Sequence, residues 1–354
     1  MNSPDGLAEI VLPCPDLAGT LAYFVDSLGF SLAQIFPADN PRVAVISGHG
    51  VRIRLDREAT GDPGTIRIAV ASPATAESVA PNGTRIHWVP ANPPVSVPPA
   101  EHRFVHSSMD QRSWITGRAG MAYRDLVPDR QGGRFIASHI RIDSAGPVPD
   151  YVHFHRVRFQ FIYCWKGWVR VVYQDQGDPF VLKAGDCVLQ PPGIRHRVLE
   201  SSGGLEVIEV GCPAEHETRT DPGMNLPTPD IRPGQKYGGQ RFVRFQASEA
   251  RWTPWDRPGL EQLDTGIGEA TDGLVEVAVL RGTGEPATRP AEHGGELFLA
   301  VVLEGQATIH REAGHITLAT GDACVVPPEM PFSLSMTEPA SRVLCVSVPG
   351  KAVL

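Results

Sequence analysis

The sequence predicts a mainly β protein in which two tandem barrels follow a small α+β domain, and three observations lead there. Glycine and proline are abundant and evenly spread, 36 and 33 of 354 residues, while long helical periodicities are few, as expected of many short strands joined by turns. Runs such as 134–142, 168–173 and 205–210 have strand length and are rich in β-branched residues. An internal repeat also runs through the β region. Arg118 to Met121 returns as Arg257 to Leu260, Gly146 as Gly284, His155 as His293 and Gly167 as Gly305, at an offset of 138 or 139; Ala184 to Pro192 returns as Thr320 to Pro328 at an offset of 136.

The length suits two or three domains, each able to bury its own core. Net charge is −8, from 32 Lys and Arg against 40 Asp and Glu with both signs dispersed, so nucleic acid is not an expected partner. The N-terminus has no basic segment followed by an apolar core, and apolar stretches such as 297–303 are too short to span a bilayer. These features predict a cytoplasmic protein without membrane association. Six cysteines lack Cys-x-x-Cys spacing and several sit in apolar runs, which predicts buried free thiols.

At the N-terminal end, residues 7–30 read as a strand followed by a helix with Leu17, Leu21, Phe24, Val25 and Leu28 at helical spacing, ending near Gly29. Short strands follow at 43–46 and 51–55, and an abbreviated second unit runs from Ile66 to Val89. This βαβββ order, with its Asp-Leu helix entry and Leu-Gly-Phe exit, resembles the glyoxalase/bleomycin-resistance, or vicinal oxygen chelate, module. Metal-binding members carry His or Gln in the first strand and Glu in the fourth; Glu9 and Arg54 stand near those places here. An arginine beside a cation is adverse, so a metal-free domain is expected. Five prolines between Pro90 and Pro99 predict a stiff linker after it.

Further on, Gly146, His153, His155, Gln160 and Gly167 form one pattern, and Gly185, Pro191, Gly193 and His196 a second. Residues two apart on a strand share a face, so His153 and His155 can enter one interior, and His196 can join them after the Pro191-Pro192-Gly193 turn. Three imidazoles in this arrangement read as a mononuclear metal site. The paired motifs resemble those of the cupin superfamily, and their duplication resembles a bicupin, over roughly residues 110–350. The resemblance implies two tandem cupin jelly-roll barrels preceded by a small α+β vicinal-oxygen-chelate-like domain. We place the N-terminal domain at 1–105, a metal-binding cupin at 106–235 and a degenerate, structural cupin at 236–354.

By resemblance the ligands are His153, His155 and His196, with Gln160, where the family usually has Glu, as a fourth. The second copy keeps the scaffold and loses the set. Ala291 stands for His153, Phe298 for Gln160 and Phe332 or a neighbour for His196, leaving His293, which with Glu296 could form a ligand site but more simply reads as a satisfied side chain.

Neutral imidazoles leave a divalent ion its full charge, and imidazole suits Fe, Ni, Cu and Zn. Fe(II) is the first expectation, followed by Ni(II) and Mn(II), with Cu(II) and Zn(II) also compatible. Such a centre attracts small anionic or phenolic chelating substrates and has room for O2, the arrangement cupin dioxygenases use to cleave a C–C bond or ring. A redox-neutral isomerase or lyase of a sugar or keto acid, and a non-catalytic small-molecule binding protein, are the alternatives. Candidate pocket residues are Tyr151, Arg158, Arg195 and Gln190 around the motifs, with His139 and Arg141 sharing one strand parity that can point inward. Asp150 and Asp186 read as turn formers. Because tandem cupins often associate further, a homodimer is expected.

Overall fold

The computed structural model describes residues 6–73, 77–111, 114–117, 120–284, 290 and 292–349, and the chain divides into two compact units after Pro94. The division falls inside the proline-rich stretch, so residues 95–105 go with the second unit. Arg118, Ala119 and Ala291, named above for the repeat, lie outside the described residues.

In the first unit a strand, Ile10–Pro13, leads into an α-helix, Leu17–Ala22, extended by a π-helical turn, Tyr23–Ser27. Asp16 caps the helix by accepting from the Gly19 N–H at 3.0 Å. A four-stranded sheet follows in the order Ile10–Pro13, Val51–Asp56, Val43–Gly48, Ser31–Phe36. A second sheet holds Thr65–Val70, Arg85–Pro90 and Glu77–Val79. Leu17, Phe24 and Leu28 pack on Ile46, Ile53 and Leu55, and Ile68 and Ile86 join the same core. Glu9 is ion-paired to Arg52 at 2.8 Å and Arg54 to Asp56 at 3.0 Å.

The second unit contains two barrels with matching topology. The large sheet of the first runs Val243–Phe245, Cys187–Leu189, Phe159–Lys166, Leu205–Cys212, Ile136–Ile142, Ala122–Asp125, Ile115–Thr116. That of the second runs Val105–Ser107, Ala323–Val326, Leu297–Glu304, Arg342–Val348, Glu276–Gly282, Leu260–Asp264, Thr253–Pro254. The sequence repeat is therefore a structural one. Each barrel lends the other an edge strand: Val105–Ser107 pairs with Ala323–Val326, and Val243–Phe245 pairs with Cys187–Leu189. The expected boundary at 105/106 falls inside the first of these strands, and the one at 235/236 puts the second with the barrel it does not pair with.

The two large sheets pack face to face. Phe159, Phe161, Tyr163 and Trp165 of one, with Leu297, Leu299, Val301 and Leu303 of the other, share one apolar cluster, each fully buried large side chain contributing about 2 kcal/mol. The opposite parity, Gln160, Ile162 and Cys164, faces the first barrel's interior. Both faces of these strands are thus buried, which explains their unbroken apolar runs. All six cysteines are buried free thiols, as expected. Among the described residues no helix is long and apolar enough to cross a membrane.

Candidate metal centre

The strand His153–His155 places both histidines on one face, and its neighbour His196–Ser201 sets His196 directly opposite His153. Gly193, at φ +81°, makes the sharp turn before that strand and donates its N–H to the His155 carbonyl at 3.1 Å. The turn is tied to the strand whose histidine it completes. Ring centroids lie 4.3 Å apart for His153 and His196, 5.2 Å for His153 and His155, and 5.3 Å for His155 and His196. One ring nitrogen from each lies within 4.8 Å of the others, and among the described residues no other three His, Cys, Asp or Glu side chains converge this way.

Hydrogen bonds decide which nitrogen two of the rings present. His153 Nδ1 is 2.8 Å from the Tyr151 carbonyl and His196 Nδ1 is 3.1 Å from the Ile194 carbonyl. A carbonyl only accepts, so these Nδ1 atoms carry the proton and Nε2 is left as the lone-pair donor. His155 Nδ1 meets Thr218 Oγ1 at 2.9 Å, a hydroxyl that can donate or accept and so orients the ring without fixing its tautomer. Asp150, buried, sits behind His153 with Oδ1 at 3.6 Å from Nδ1 and accepts from the Val198 N–H through Oδ2. Besides shaping the turn, it places a carboxylate behind the imidazole, the position from which such a group would orient a metal-binding histidine.

Gln160 shares the cavity with the three histidines, buried at 1 % exposure. Its amide nitrogen donates to Glu209, and its Oε1 is buried without a hydrogen-bond partner among the described residues. Orphaned buried oxygens are rare and ask for an explanation. A metal ion supplies one, since an amide oxygen beside three imidazole nitrogens is an acceptable N3O donor set. The residues therefore fit a divalent transition metal.

The cavity is about 330 Å3, walled by Ile136, Ile140, Ile162, Val169, Val171, Leu205 and Val207. Gln190 lines it and donates to the Tyr173 hydroxyl at 2.8 Å; Tyr173 in turn stacks on His196 with ring centroids 5.4 Å apart. The other pocket candidates lie elsewhere. Arg158, with Arg134, grips Glu296 of the second barrel at 2.8 Å; Arg195 pairs with Asp221 at 3.1 Å and covers the Phe154 ring. Tyr151 is 46 % exposed and offers the site its carbonyl.

His139 and Arg141 point away from the interior, because Ser138, Ile140 and Ile142 occupy the inward parity of their strand. Arg141 pairs with Asp143 and lies over the Trp114 ring. Fully buried, His139 bonds Glu206 at 2.7 Å and Arg124 at 3.1 Å; burial first, then the Arg124 charge, holds its pKa down to about 4. Glu296 is not a partner for His293. Burial pushes its carboxyl up, but hydrogen bonds from Arg158 and Arg134 outweigh this and hold it below the usual range.

Of the lining residues the sequence did not single out, two add a carboxyl and an imidazole beside the histidines. Glu209 faces the cavity from Leu205–Cys212, and His216, its Nδ1 3.0 Å from the Pro213 carbonyl, sits 5.3 Å from the His155 ring. Glu206 and Glu209 are three apart on one strand and cannot share a face, so one acid had to turn inward. Which one was set by strand pairing. No sequence signal marked His216.

Residues 142–211 match the cupin domain family and 255–354 match the AraC-binding-like domain family. The second unit carries two cupin-type domains. No curated protein matches the sequence. Solved structures with similar folds include salicylate 1,2-dioxygenase from Pseudoaminobacter salicylatoxidans, solved as adducts with gentisate, at 17 % identity and TM-score 0.51, covering 72 % of this chain and 83 % of that one. Oxalate decarboxylase from Lactobacillus farciminis, in a formate complex, is 13 % identical with TM-score 0.51, covering 73 % and 88 %. Protein Ylba from E. coli is 15 % identical with TM-score 0.50, covering 73 % and 95 %. At these identities the likeness is one of fold: a cupin-superfamily scaffold with a three-histidine group able to hold a metal.

Proposed function

We propose that the first barrel is a mononuclear, metal-dependent dioxygenase centre acting on a small phenolic or enolic substrate. The observation that carries this reading is the convergent triad, the tautomers of His153 and His196 fixed by the Tyr151 and Ile194 carbonyls and His155 oriented by Thr218, opening with the unpartnered Gln160 oxygen onto an apolar cavity. His153, His155 and His196 hold the ion, with Gln160 Oε1 as a further donor. A divalent ion there, Fe(II) on this reading, supplies a Lewis-acidic, redox-active centre at which a chelating substrate and O2 can meet.

The chain's own residues narrow the substrate. Among the described residues no lysine or arginine lines the cavity, so the ion would be the one positive charge a substrate meets there, and a single aromatic ring with few charges suits the isoleucine and valine walls. Glu209 and the Nε2 of His216 are placed to take the phenolic proton as the substrate oxygen docks. Their presence also favours a second reading, a redox-neutral isomerase or lyase in which one of them moves a proton on carbon.

O2 uptake separates the two readings. Chelator-treated protein, reloaded with Fe(II) under argon, is given catechols, hydroxybenzoates, β-diketones and keto acids. The dioxygenase reading requires O2 consumption matched to product and no turnover under argon; turnover under argon removes it. His153→Ala is expected to abolish both metal retention and uptake. For the first unit we propose a metal-free vicinal-oxygen-chelate-like module, supported by its sheet order and by the Glu9–Arg52 and Arg54–Asp56 ion pairs at the places where such modules bind metal. The cytoplasmic setting and homodimer remain part of the same proposal.

A further inference from the structure

The second barrel has lost its metal ligands, yet the corresponding place is not filled by carbon alone. Phe298 and Phe332, standing for Gln160 and His196, pack ring to ring at 4.8 Å. His293, the counterpart of His155, is 1 % exposed; its Nε2 lies 2.8 Å from the Val326 carbonyl, so Nε2 carries the proton and Nδ1 is a lone-pair acceptor. That Nδ1 has no partner among the described residues.

Arg257 enters the same region. Its guanidinium lies 5.0 Å from the Phe332 ring centre and 5.9 Å from that of Trp255, and its Nη1 donates to the Phe332 carbonyl at 3.0 Å. The residue is 5 % exposed, and its Nε and Nη2 are buried without a hydrogen-bond partner among the described residues. Among the described residues no acidic side chain pairs with it, and burial lowers its pKa, the mark of a cation held without compensation. Nε–H and Nη2–H lie side by side on one edge of the guanidinium plane. This is the edge that grips a carboxylate with two parallel hydrogen bonds.

We propose that the second barrel is a binding site for a small organic carboxylate, preferably a 2-hydroxy acid, with the carboxylate on the Nε/Nη2 edge of Arg257 and the hydroxyl donating to His293 Nδ1. Where the first barrel has ligands for a metal dication, the second has a fixed cation. Three buried polar atoms without partners then receive complementary ones: two donors meet an anion and one acceptor meets an O–H. Because Phe298, Phe332 and Leu334 fill the interior, the class is confined to small acids. The site is independent of the chemistry proposed for the first barrel.

The test uses full-length, chelator-treated protein, so that no ion in the first barrel can take the carboxylate. Acetate, lactate and inorganic phosphate are titrated by calorimetry. Saturable binding of about one lactate per chain is expected, with acetate weaker and phosphate weaker still. Arg257→Lys keeps the charge and loses the planar fork, and should weaken lactate about tenfold or more, the loss of a charge-assisted hydrogen bond. Arg257→Met should abolish binding; if that variant does not fold, the lysine variant carries the test. His293→Phe should bind acetate as before and lose the preference for lactate. The proposal is overturned if neither acid binds saturably, if Arg257→Lys binds lactate with unchanged affinity, or if phosphate binds more tightly than lactate. Retention of the lactate preference in His293→Phe removes the hydroxyl contact and with it the 2-hydroxy acid.

Discussion

Replacing Gln160 by glutamate looks like a restoration of the residue cupins usually carry, yet the structure makes it a costly change in the metal-free protein. Gln160 donates its amide N–H to Glu209 inside a largely apolar cavity. Gln160→Glu sets two carboxylates about 3 Å apart, which at an effective dielectric of about 20 repel by about 5 kcal/mol. Protonation limits that cost. Holding one carboxyl of unperturbed pKa about 4.3 protonated at pH 7 takes about 3.7 kcal/mol, and a shared proton bridging the pair returns part of it. The metal-free variant should therefore lose about 2–4 kcal/mol at pH 7. Because the folded pair keeps a proton that the unfolded chain has released, the deficit grows as pH rises from about 4 to 7 and nearly vanishes at the acid end. The double variant Gln160→Glu, Glu209→Gln restores a donor opposite an acceptor and should return to within about 1 kcal/mol of wild type. Urea unfolding of chelator-treated protein at several pH values measures all three. A single variant as stable as wild type at pH 7, or a double variant no better than the single, would refute the contact and with it the inference that Gln160 presents its oxygen to the metal.

Three further outcomes follow from the same geometry. Thr218→Val removes the partner of His155 Nδ1 and should weaken metal binding by about 10–100-fold with the fold intact, as read by competition with a chromophoric chelator. His139, held down to about 4 from 6.5, is neutral when folded, while the unfolded chain takes up its proton near 6.5. Its contribution is full above that pH and is lost as pH falls toward 4, by up to about 3 kcal/mol, and His139→Gln should flatten that part of the stability profile. Glu296→Ala strands Arg134 and Arg158, 17 % and 27 % exposed, and should cost about 2–3 kcal/mol, less than for a fully buried pair; an unchanged urea midpoint would mean that water already serves both guanidiniums.

Local periodicity made the triad legible. His153 and His155 are two apart on a strand, and His196 follows a turn whose proline and glycine announce themselves, so the ligand face could be read without the fold. The internal repeat likewise carried the two-barrel architecture, since strand lengths and turn positions recur at a fixed offset. Pocket lining was less legible. Strands such as Ile136–Ile142 and Leu205–Cys212 are buried on both sides, one against the cavity and one against the neighbouring sheet, so apolar alternation did not say which parity was inward. His139 and Arg141 looked eligible on that account and proved to face outward, while Glu209 went unnoticed.

What the sequence alone determined is therefore the repeating β scaffold, the three imidazoles and the loss of their counterparts in the second copy, all properties of residues close together in the chain. Tertiary structure decided the rest. It drew Arg158 and Arg134 to Glu296, brought Glu209 and His216 to the histidine cluster, and buried both Arg257 and His293 near the Phe332 ring. Each of these depends on which strands lie side by side and which sheet face meets which, and a pairing between residues far apart in the chain leaves no periodic trace in the sequence.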